Sequence, residues 1–396
     1  MRVAIVTESF LPTVNGVTNS VLRVLEHLAL RGHDAMVICP GPAPPSYADF
    51  PVREVAAFKF FKFNLGMPTA HVQQALADFG PDVVHSAGPF LLGGLGLLGA
   101  QRLDIPTVAI YQTDMAGFAA HHGFRAASKG LWDWARQLHE MADLTLAPSK
   151  SALNDLIAHG VPRVALWGRG VDTVQFHPSR RDSPGSRELR ARLSPDGEVV
   201  VGYVGRMFPE KRVERLAILG GLPGIRVAIV GDGPTRAPTE RAFAAAGLPS
   251  TFLGHLEGTD LADAYAAFDI FIHTGTEETF GQTLQEAMAT HLPVIAPAAG
   301  GPRDIVLHGE TGFLYSPEDD QDLRAKVEEL IADRDLRQRM GEAGRRAVLP
   351  RSWEAVCDEL LDHYGTAIAQ HDYTQRRQHI DIGGLAAAAL SLNARD

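Results

Sequence analysis

The chain is poor in cysteine, with Cys39 and Cys357 alone among 396 residues, far apart and at no metal or redox spacing. That usage excludes a disulfide scaffold and a structural zinc site and points to a reducing compartment. Basic excess is missing too. With 37 Lys+Arg against 47 Asp+Glu the net charge is −10, which argues against a nucleic-acid partner and its basic stripe. The deficit is uneven: up to Asp172 there are 13 Lys+Arg and 14 Asp+Glu, and the remaining −9 falls beyond. A near-neutral first half approaches an anionic surface more easily than an acidic one. Long apolar runs are also absent. The longest, "FLLGGLGLLGA" from Phe90 to Ala100, is too short and Gly-rich to span a bilayer, which takes about 20 apolar residues. The start, MRVAIVTESF, lacks the longer apolar region of a secretory signal. The chain reads as cytoplasmic, or docked peripherally at the cytoplasmic face of the plasma membrane.

What is present is the composition of a globular α/β protein with many tight loops: 45% hydrophobic, 21% charged, 39 Gly and 25 Pro. The length exceeds what one core sustains, so two domains of roughly 150 to 200 residues are expected, with a cleft between them. "RVAIVTE" reads as a buried strand, "GVTNSVLRVLEHLALRG" as an amphipathic helix closed by Gly32, and "DAMVICPG" as the next strand. "PDVVHSAG", "PTVAIYQTD" and "ADLTLAPS" continue the pattern, which starts afresh with "EVVVGYVGR", "IRVAIVGDGP", "STFLGHL", "DIFIHTG" and "LPVIAPA". The polar, Pro-, Ser- and Arg-rich stretch Asp172 to Gly197 between them reads as a linker or hinge. The expected fold class is α/β, two Rossmann-like domains facing a central cleft, with ligands at the strand C-terminal ends. The divisions are a first, acceptor-binding domain at 1–175, a linker at 176–196, a second, nucleotide-sugar-binding domain at 197–350, a helical segment at 351–373 packing back on the first domain, and a tail at 374–396.

Three constellations carry chemistry. Asn15 and Gly16 sit between the first strand and its helix, where glycine lets a ligand approach the backbone and a helix start favours negative charge. No G-x-G-x-x-G stands in that turn, and an ordinary βα turn has the same look, as does "GDGP" at Gly231. In "VGRMFPEK", Gly205 and Arg206 follow a buried strand, and Lys211 comes back across a turn at Pro209. Two cations at a strand end suit a diphosphate, though a solvated turn also carries such residues. In "EETFGQTLQEAM", Glu278 precedes a helix and Glu286 lies inside it, with the helix-start amides around Gly281, Gln282 and Thr283 between them for a phosphate or sugar oxygen. Carboxylates accept from vicinal hydroxyls, so Glu286 suits a ribose and Glu278 a donor sugar. His121-His122 reads as a surface pair rather than a metal site, and His85 and His273 end strands facing the cleft.

Together "GR…EK", "E-T-F-G-x-x-x-x-E-A" and "PVIAPAAGGPRDIV" resemble the retaining GT-B glycosyltransferases, marked by two Glu separated by seven residues. The likeness covers nearly the whole chain, including "FLPTVNGV" and "RGVDTVQFHP". "YQTDMAGFA" and "LAPSKSALNDLIAHGVPRVALWGRGVD" most resemble the actinobacterial GDP-mannose-dependent α-mannosyltransferases that act on glycolipids. The resemblance implies Arg206 and Lys211 on the donor diphosphate, Glu286 on the ribose, Glu278 and the Phe280-Gly281 backbone at the hexose, and Gly16 near the phosphate or sugar. Many relatives carry a histidine near the reacting sugar where this chain has Gln112-Thr113-Asp114. A Gln is neither acid nor base, so that role is positional or passes to Asp114. No Asp-x-Asp metal site accompanies these motifs, and no cofactor beyond the nucleotide-sugar donor is implied.

Three rivals remain. A UDP-sugar-dependent glucosyl- or sulfoquinovosyltransferase of the same fold differs only in its base pocket. A nicotinamide-dependent oxidoreductase wants a glycine fingerprint followed by a ribose-binding acid, which the chain does not convincingly offer, and a non-catalytic sugar-nucleotide sensor differs only in lacking turnover. A lipid acceptor finds support in "AAFKFFKFNLG", where Phe58, Phe60, Phe61 and Phe63 surround Lys59 and Lys62. Neither a helix nor a strand puts all four rings on one face. Aromatic rings with interleaved cations suit a headgroup interface, while a strand buried on both faces with snorkelling lysines is the alternative. Two such cations add roughly 1 kcal/mol each at an anionic surface. Wild-type protein should therefore float with anionic liposomes, and Lys59→Glu/Lys62→Glu should not; binding that ignores both charge and salt returns the segment to the interior.

Overall fold

Val3, Ala4, Ile5 and Val6 are all fully buried, as a strand covered by helices on both faces requires. The same holds for each central strand of two separate sheets. The computed structural model describes residues 1–60, 63–66, 70–112 and 128–393, with side chains described except at 57–70, 113–128 and 375–393. The first half runs β1 (Arg2–Val6), α1 (Gly16–Leu30), β2 (Asp34–Pro40), β3 (Ser46–Tyr47), β4 (Phe50–Val55), β5 (Ala57–Phe60), β6 (Phe63–Gly66), α2 (Ala70–Phe79), β7 (Val83–Ser86), α3 (Leu92–Arg102), β8 (Thr107–Ile110), α4 (Ser128–Glu140), β9 (Leu144–Ala147), α5 (Lys150–Ala158) and β10 (Val164–Leu166). Its eight-stranded sheet has the order β10-β9-β8-β7-β1-β2-β4-β3, parallel throughout except for the β3–β4 pair. The order reverses beside β1, so the crevice opens where β1 and β7 end.

The second half runs α6 (Pro184–Leu193), β11 (Val199–Val204), β12 (Ile225–Val230), α7 (Arg236–Ala245), β13 (Ser250–Gly254), α8 (Gly258–Ala267), β14 (Ile270–Ile272), α9 (Gln282–Ala289), β15 (Val294–Pro297), α10 (Pro302–Ile305), β16 (Gly312–Tyr315), α11 (Asp320–Ala332) and α12 (Arg334–Val348). Six parallel strands stand in the order β13-β12-β11-β14-β15-β16. Here the order switches beside β11, and β11 and β14 deliver the loops of the site.

The stretch read as a linker is largely helical. His177 and Ser183 cap a 3-10 turn and α6 with their side chains. Arg180 pairs with Asp263 at 3.3 Å, Arg181 with Asp269 at 2.7 Å, and Arg190 with Asp269 as well. The charges that gave the segment a linker composition are spent on acids of α8 and of the turn that follows it. The crossings between the halves are narrow. Val171 N donates to Arg351 O at 2.9 Å, and a Cβ on Gly170 would lie 2.5 Å from Trp353 Cα, so the outgoing and returning backbones touch.

After that crossing, α13 (Trp353–Asn393) lays Val356, Cys357, Leu360, Tyr364 and Ala367 into the core of the first half. Trp167 Nε1 donates to Val356 O at 2.9 Å, and His85 Nδ1 meets Tyr364 Oη at 2.6 Å. The tail at 374–396 continues this helix as far as Asn393. In the aromatic segment, β5 and β6 pair antiparallel as a hairpin with Phe60 opposite Phe63 and Lys59 opposite Asn64; Phe61 and Lys62, like Asp114 and the His121-His122 pair, lie outside the described residues. Among the described residues no helix is long and apolar enough to cross a membrane. Burial pushes the His85 imidazole down to about 3, so it is neutral, and among the described residues its hydrogen bond to α13 is the one with Tyr364. Tyr364→Phe should cost about 1–3 kcal/mol by leaving a buried nitrogen without a partner, read as a lower denaturation midpoint; an unchanged midpoint would mean that this bond does not hold the helix.

Candidate active site

The second sheet delivers the cations. Beyond β11 the chain turns through Gly205 into Arg206, whose side chain stays 63% exposed, with Nη2 3.8 Å from Glu210 Oε1 and the guanidinium 5.0 Å from the centre of the Phe208 ring. A short 3-10 turn, Pro209–Lys211, then aims Lys211 inward, where Nζ donates to Glu278 Oε2 at 2.6 Å. The two cations that the sequence sets on one diphosphate thus rest against different carboxylates. Arg206 is loosely held and free to turn toward an anion, whereas Lys211 already has a counter-charge.

Glu278 lies in the loop between β14 and α9. His273 Nε2 approaches its Oε2 at 3.6 Å. Burial pushes this carboxyl up, and the Lys211 ammonium, with His273 and Arg169 beyond it, more than reverses the effect and holds it at about 2. Glu278 is ionised at any physiological pH. His273 is pushed down to about 4 by burial, against the pull of Glu278. Among the described residues neither of its ring nitrogens has a hydrogen-bond partner.

Glu286 stands one turn into α9 and in a different setting. Tyr265 Oη donates to its Oε2 at 2.7 Å. Burial raises the carboxyl to about 7, against the hydrogen bonds from Tyr265 and Gln282. Gln282 itself donates from Nε2 to Gly170 O at 2.9 Å, and its Oε1 is buried without a partner among the described residues. α9 begins after Gly281, at φ 112°, a conformation that favours glycine and that supplies no side-chain cap. The first amides of the helix, at Gln282 and Thr283, are therefore left for an oxygen of a ligand or water. Phe280 is buried and carries the chain into this turn.

The first half supplies the facing wall. Asn15 is spent on its own helix: Oδ1 accepts from Val17 N at 2.9 Å and Thr18 N at 3.0 Å, and Nδ2 donates to Ser9 Oγ at 2.8 Å. The expected donor contact of Asn15 thus has a capping explanation that Gly16 lacks. Among the described residues a Cβ on Gly16 would meet only Arg169 Nη1, at 3.7 Å, so their packing does not demand glycine there. Gly231 is the reverse case, since a Cβ on it would lie 1.9 Å from Gly205 O; the contact between the two strand ends accounts for that glycine without any ligand.

Gln112 is buried at the end of β8, with Oε1 accepting from Arg169 Nη2 at 2.5 Å and Nε2 donating to Ala87 O at 3.3 Å. Thr279 Oγ1 donates to Gln112 O at 3.4 Å, and Ser151 N to Asp304 Oδ2 at 3.1 Å, so the Glu278 loop and α10 touch the first half. Arg169 is the residue that motif reading missed. Its only signal is an arginine between two glycines in "WGRGVD" at the hinge, and its contacts join segments more than fifty positions away.

Residues 14–175 match the glycosyltransferase family 4 model and residues 186–347 the glycosyl transferases group 1 model. A GDP-mannose-dependent alpha-mannosyltransferase of Mycolicibacterium smegmatis is 49% identical over 380 residues, 93% of this chain and 98% of that protein. The chain belongs to the family of GDP-mannose-dependent alpha-mannosyltransferases. A second member, from Mycobacterium tuberculosis, is 49% identical over 92% of this chain and 96% of its own length. The fold is that of a GT-B glycosyltransferase: Anabaena Alr3699/HepE, solved with UDP and glucose, superposes with a TM-score of 0.76 at 20% identity, over 92% of this chain and 99% of that one.

In this glycosyltransferase the two acids differ in what each can accept. The sequence leads to the expectation that Glu286 accepts ribose hydroxyls, which an ionised carboxylate does best, and with its carboxyl at about 7 the ionised form gains through neutral pH. A group that binds only when ionised changes affinity by up to roughly tenfold between pH 6 and 8. Calorimetry with GDP-mannose, the donor named for the relatives and one whose diphosphate does not titrate there, should show tighter binding at pH 8 than at pH 6. Glu286→Gln should weaken GDP and GDP-mannose alike and flatten this dependence, whereas Glu278→Gln should spare GDP; equal loss of GDP affinity in both variants refutes the division.

Proposed function

We propose that the protein transfers mannose from GDP-mannose to a hydroxyl group of a lipid-linked acceptor, with retention of the anomeric configuration, by front-face substitution. The pairing of Glu278 with Lys211 at 2.6 Å carries the reading. A double displacement needs a carboxylate nucleophile beneath the anomeric carbon, and the carboxylate best placed to reach a donor hexose has its charge engaged by a lysine. Glu286, bonded to Tyr265, is engaged as well. Both acids serve better as acceptors of sugar hydroxyl bonds.

In the step itself the bond between the anomeric carbon and the diphosphate oxygen breaks, and its electron pair leaves with GDP. The acceptor oxygen bonds to the same face of the sugar, and its proton passes to the departing phosphate oxygen. Charge grows on the diphosphate, where Arg206 turning from Glu210, Lys211 and the open amides of α9 stabilise it. The near-neutral first half and the Phe- and Lys-rich segment favour a lipid-linked acceptor.

The test is incubation with radiolabelled GDP-mannose or UDP-glucose and a membrane extract, followed by lipid separation. Label from GDP-mannose should enter the lipid fraction. Label from UDP-glucose alone overturns the donor, and label confined to water-soluble product overturns the acceptor. In the same assay Arg206→Ala should lose on the order of a hundredfold in turnover, by analogy with removing one oxyanion donor, and much less in donor affinity.

A further inference from the structure

A primary amide accepts at one end and donates at the other, the two ends have nearly the same shape, and neighbours decide which way it faces. Gln112 has two neighbours that agree. Arg169 offers only donors and holds Oε1 at 2.5 Å, and the Ala87 carbonyl offers only lone pairs and takes Nε2 at 3.3 Å. Among the described residues the Nε2 end has one hydrogen unspent, which is what this side chain has left for a ligand.

The same guanidinium donates from Nη1 to Gly16 O at 2.5 Å. It therefore ties together the amide at the end of β8 and the first turn of α1, two of the segments that face the cleft. Its launching point is rigid. Gly170 is pressed on Trp353, and a Cβ on Gly168 would lie 2.5 Å from Arg351 Nη2 and 3.5 Å from the Phe280 ring. Among the described residues both hydrogen bonds of this half-buried cation go to neutral carbonyl oxygens, so it spends its charge on holding two segments of the first half.

We propose that Arg169 is a positioning residue that fixes the Gln112 amide with its N–H end available to the donor sugar and holds the Gly16 turn beside it. The kinetic arm rests on the transferase reading above.

The variants are Arg169→Met, which keeps the length of the side chain without its charge, Arg169→Lys, which satisfies one acceptor at a time, and Gln112→Glu, which still accepts from Arg169 but no longer donates. With whichever of GDP-mannose and UDP-glucose the wild type turns over, Arg169→Met should lose at least thirtyfold in kcat with KM for the donor within threefold, and Arg169→Lys should recover part of the loss. Gln112→Glu, which also loses the Ala87 bond, should still melt cooperatively as a folded protein and lose turnover by a similar factor. The double variant Arg169→Met/Gln112→Ala should lose less than the product of the two single losses. Wild-type kcat in Arg169→Met, full turnover in Gln112→Glu, or losses that multiply in the double variant would each overturn the proposal. A crystal structure of Arg169→Met reads it without turnover: Gln112 should rotate or lose its order, and an unmoved amide overturns the role. Failure of both donors with the wild type refutes the transferase reading instead.

Discussion

Two parallel sheets, each with its own core, meet where the outgoing backbone at Gly170-Val171 lies against the returning backbone at Arg351-Trp353. A side chain at Gly170 would overlap the Trp353 backbone, and the pair is closed by a hydrogen bond from Val171 to Arg351. Everything that makes a site out of two domains hangs on this contact. Arg169 immediately precedes it and reaches into the first half, Gln282 of the second half donates to Gly170 O, and α13 begins at Trp353 and runs back over the first sheet. Because the contact is backbone on backbone, small rotations about it change the distance between the walls of the cleft while leaving each core intact.

The electrostatics follow the same plan. Half-buried charged groups in the cleft face partners from other elements: Glu278 faces Lys211, Arg169 faces the Gln112 amide and Glu286 faces Tyr265. Burial costs each of them, and opposite charges or hydrogen bonds offset the cost to different degrees. That difference separates two glutamates eight positions apart in one motif. Glu278 is held at about 2 and Glu286 at about 7, so one is a permanent anion and the other titrates near neutral pH. Pairing Lys211 with Glu278 also keeps the ligand-free site from holding two unbalanced charges, and a diphosphate entering it offers Lys211 a second anion.

Glycine carries several of these arguments, and the reason differs from place to place. At Gly170 and Gly231 another part of the backbone occupies the space a Cβ would need. At Gly16, among the described residues, nothing but Arg169 comes near, so packing gives no account of the missing side chain. Turn formers look alike in a sequence, and only the surroundings tell the two kinds apart.

The alternation of short apolar strands and amphipathic helices, broken once, was enough to read two Rossmann-like sheets, because a strand buried on both faces has no polar period and that pattern is local. The spacing of Glu278 and Glu286 around a helix start was legible for the same reason. The helical form of the stretch read as a linker was not legible, because its arginines look solvated until Asp263 and Asp269 are known to lie beneath them. Arg169 could not be seen at all, since its partners Gly16, Gln112 and Glu278 are between 57 and 153 positions away. By itself the sequence determined which segments are strands, which are helices and where the donor motifs fall on them, for those choices rest on local period and local capping. Tertiary structure decided that Lys211 faces Glu278, how the Gln112 amide is turned and why the two glutamates differ, because each of these depends on a group far off in the chain that the fold of one half or the other brings close.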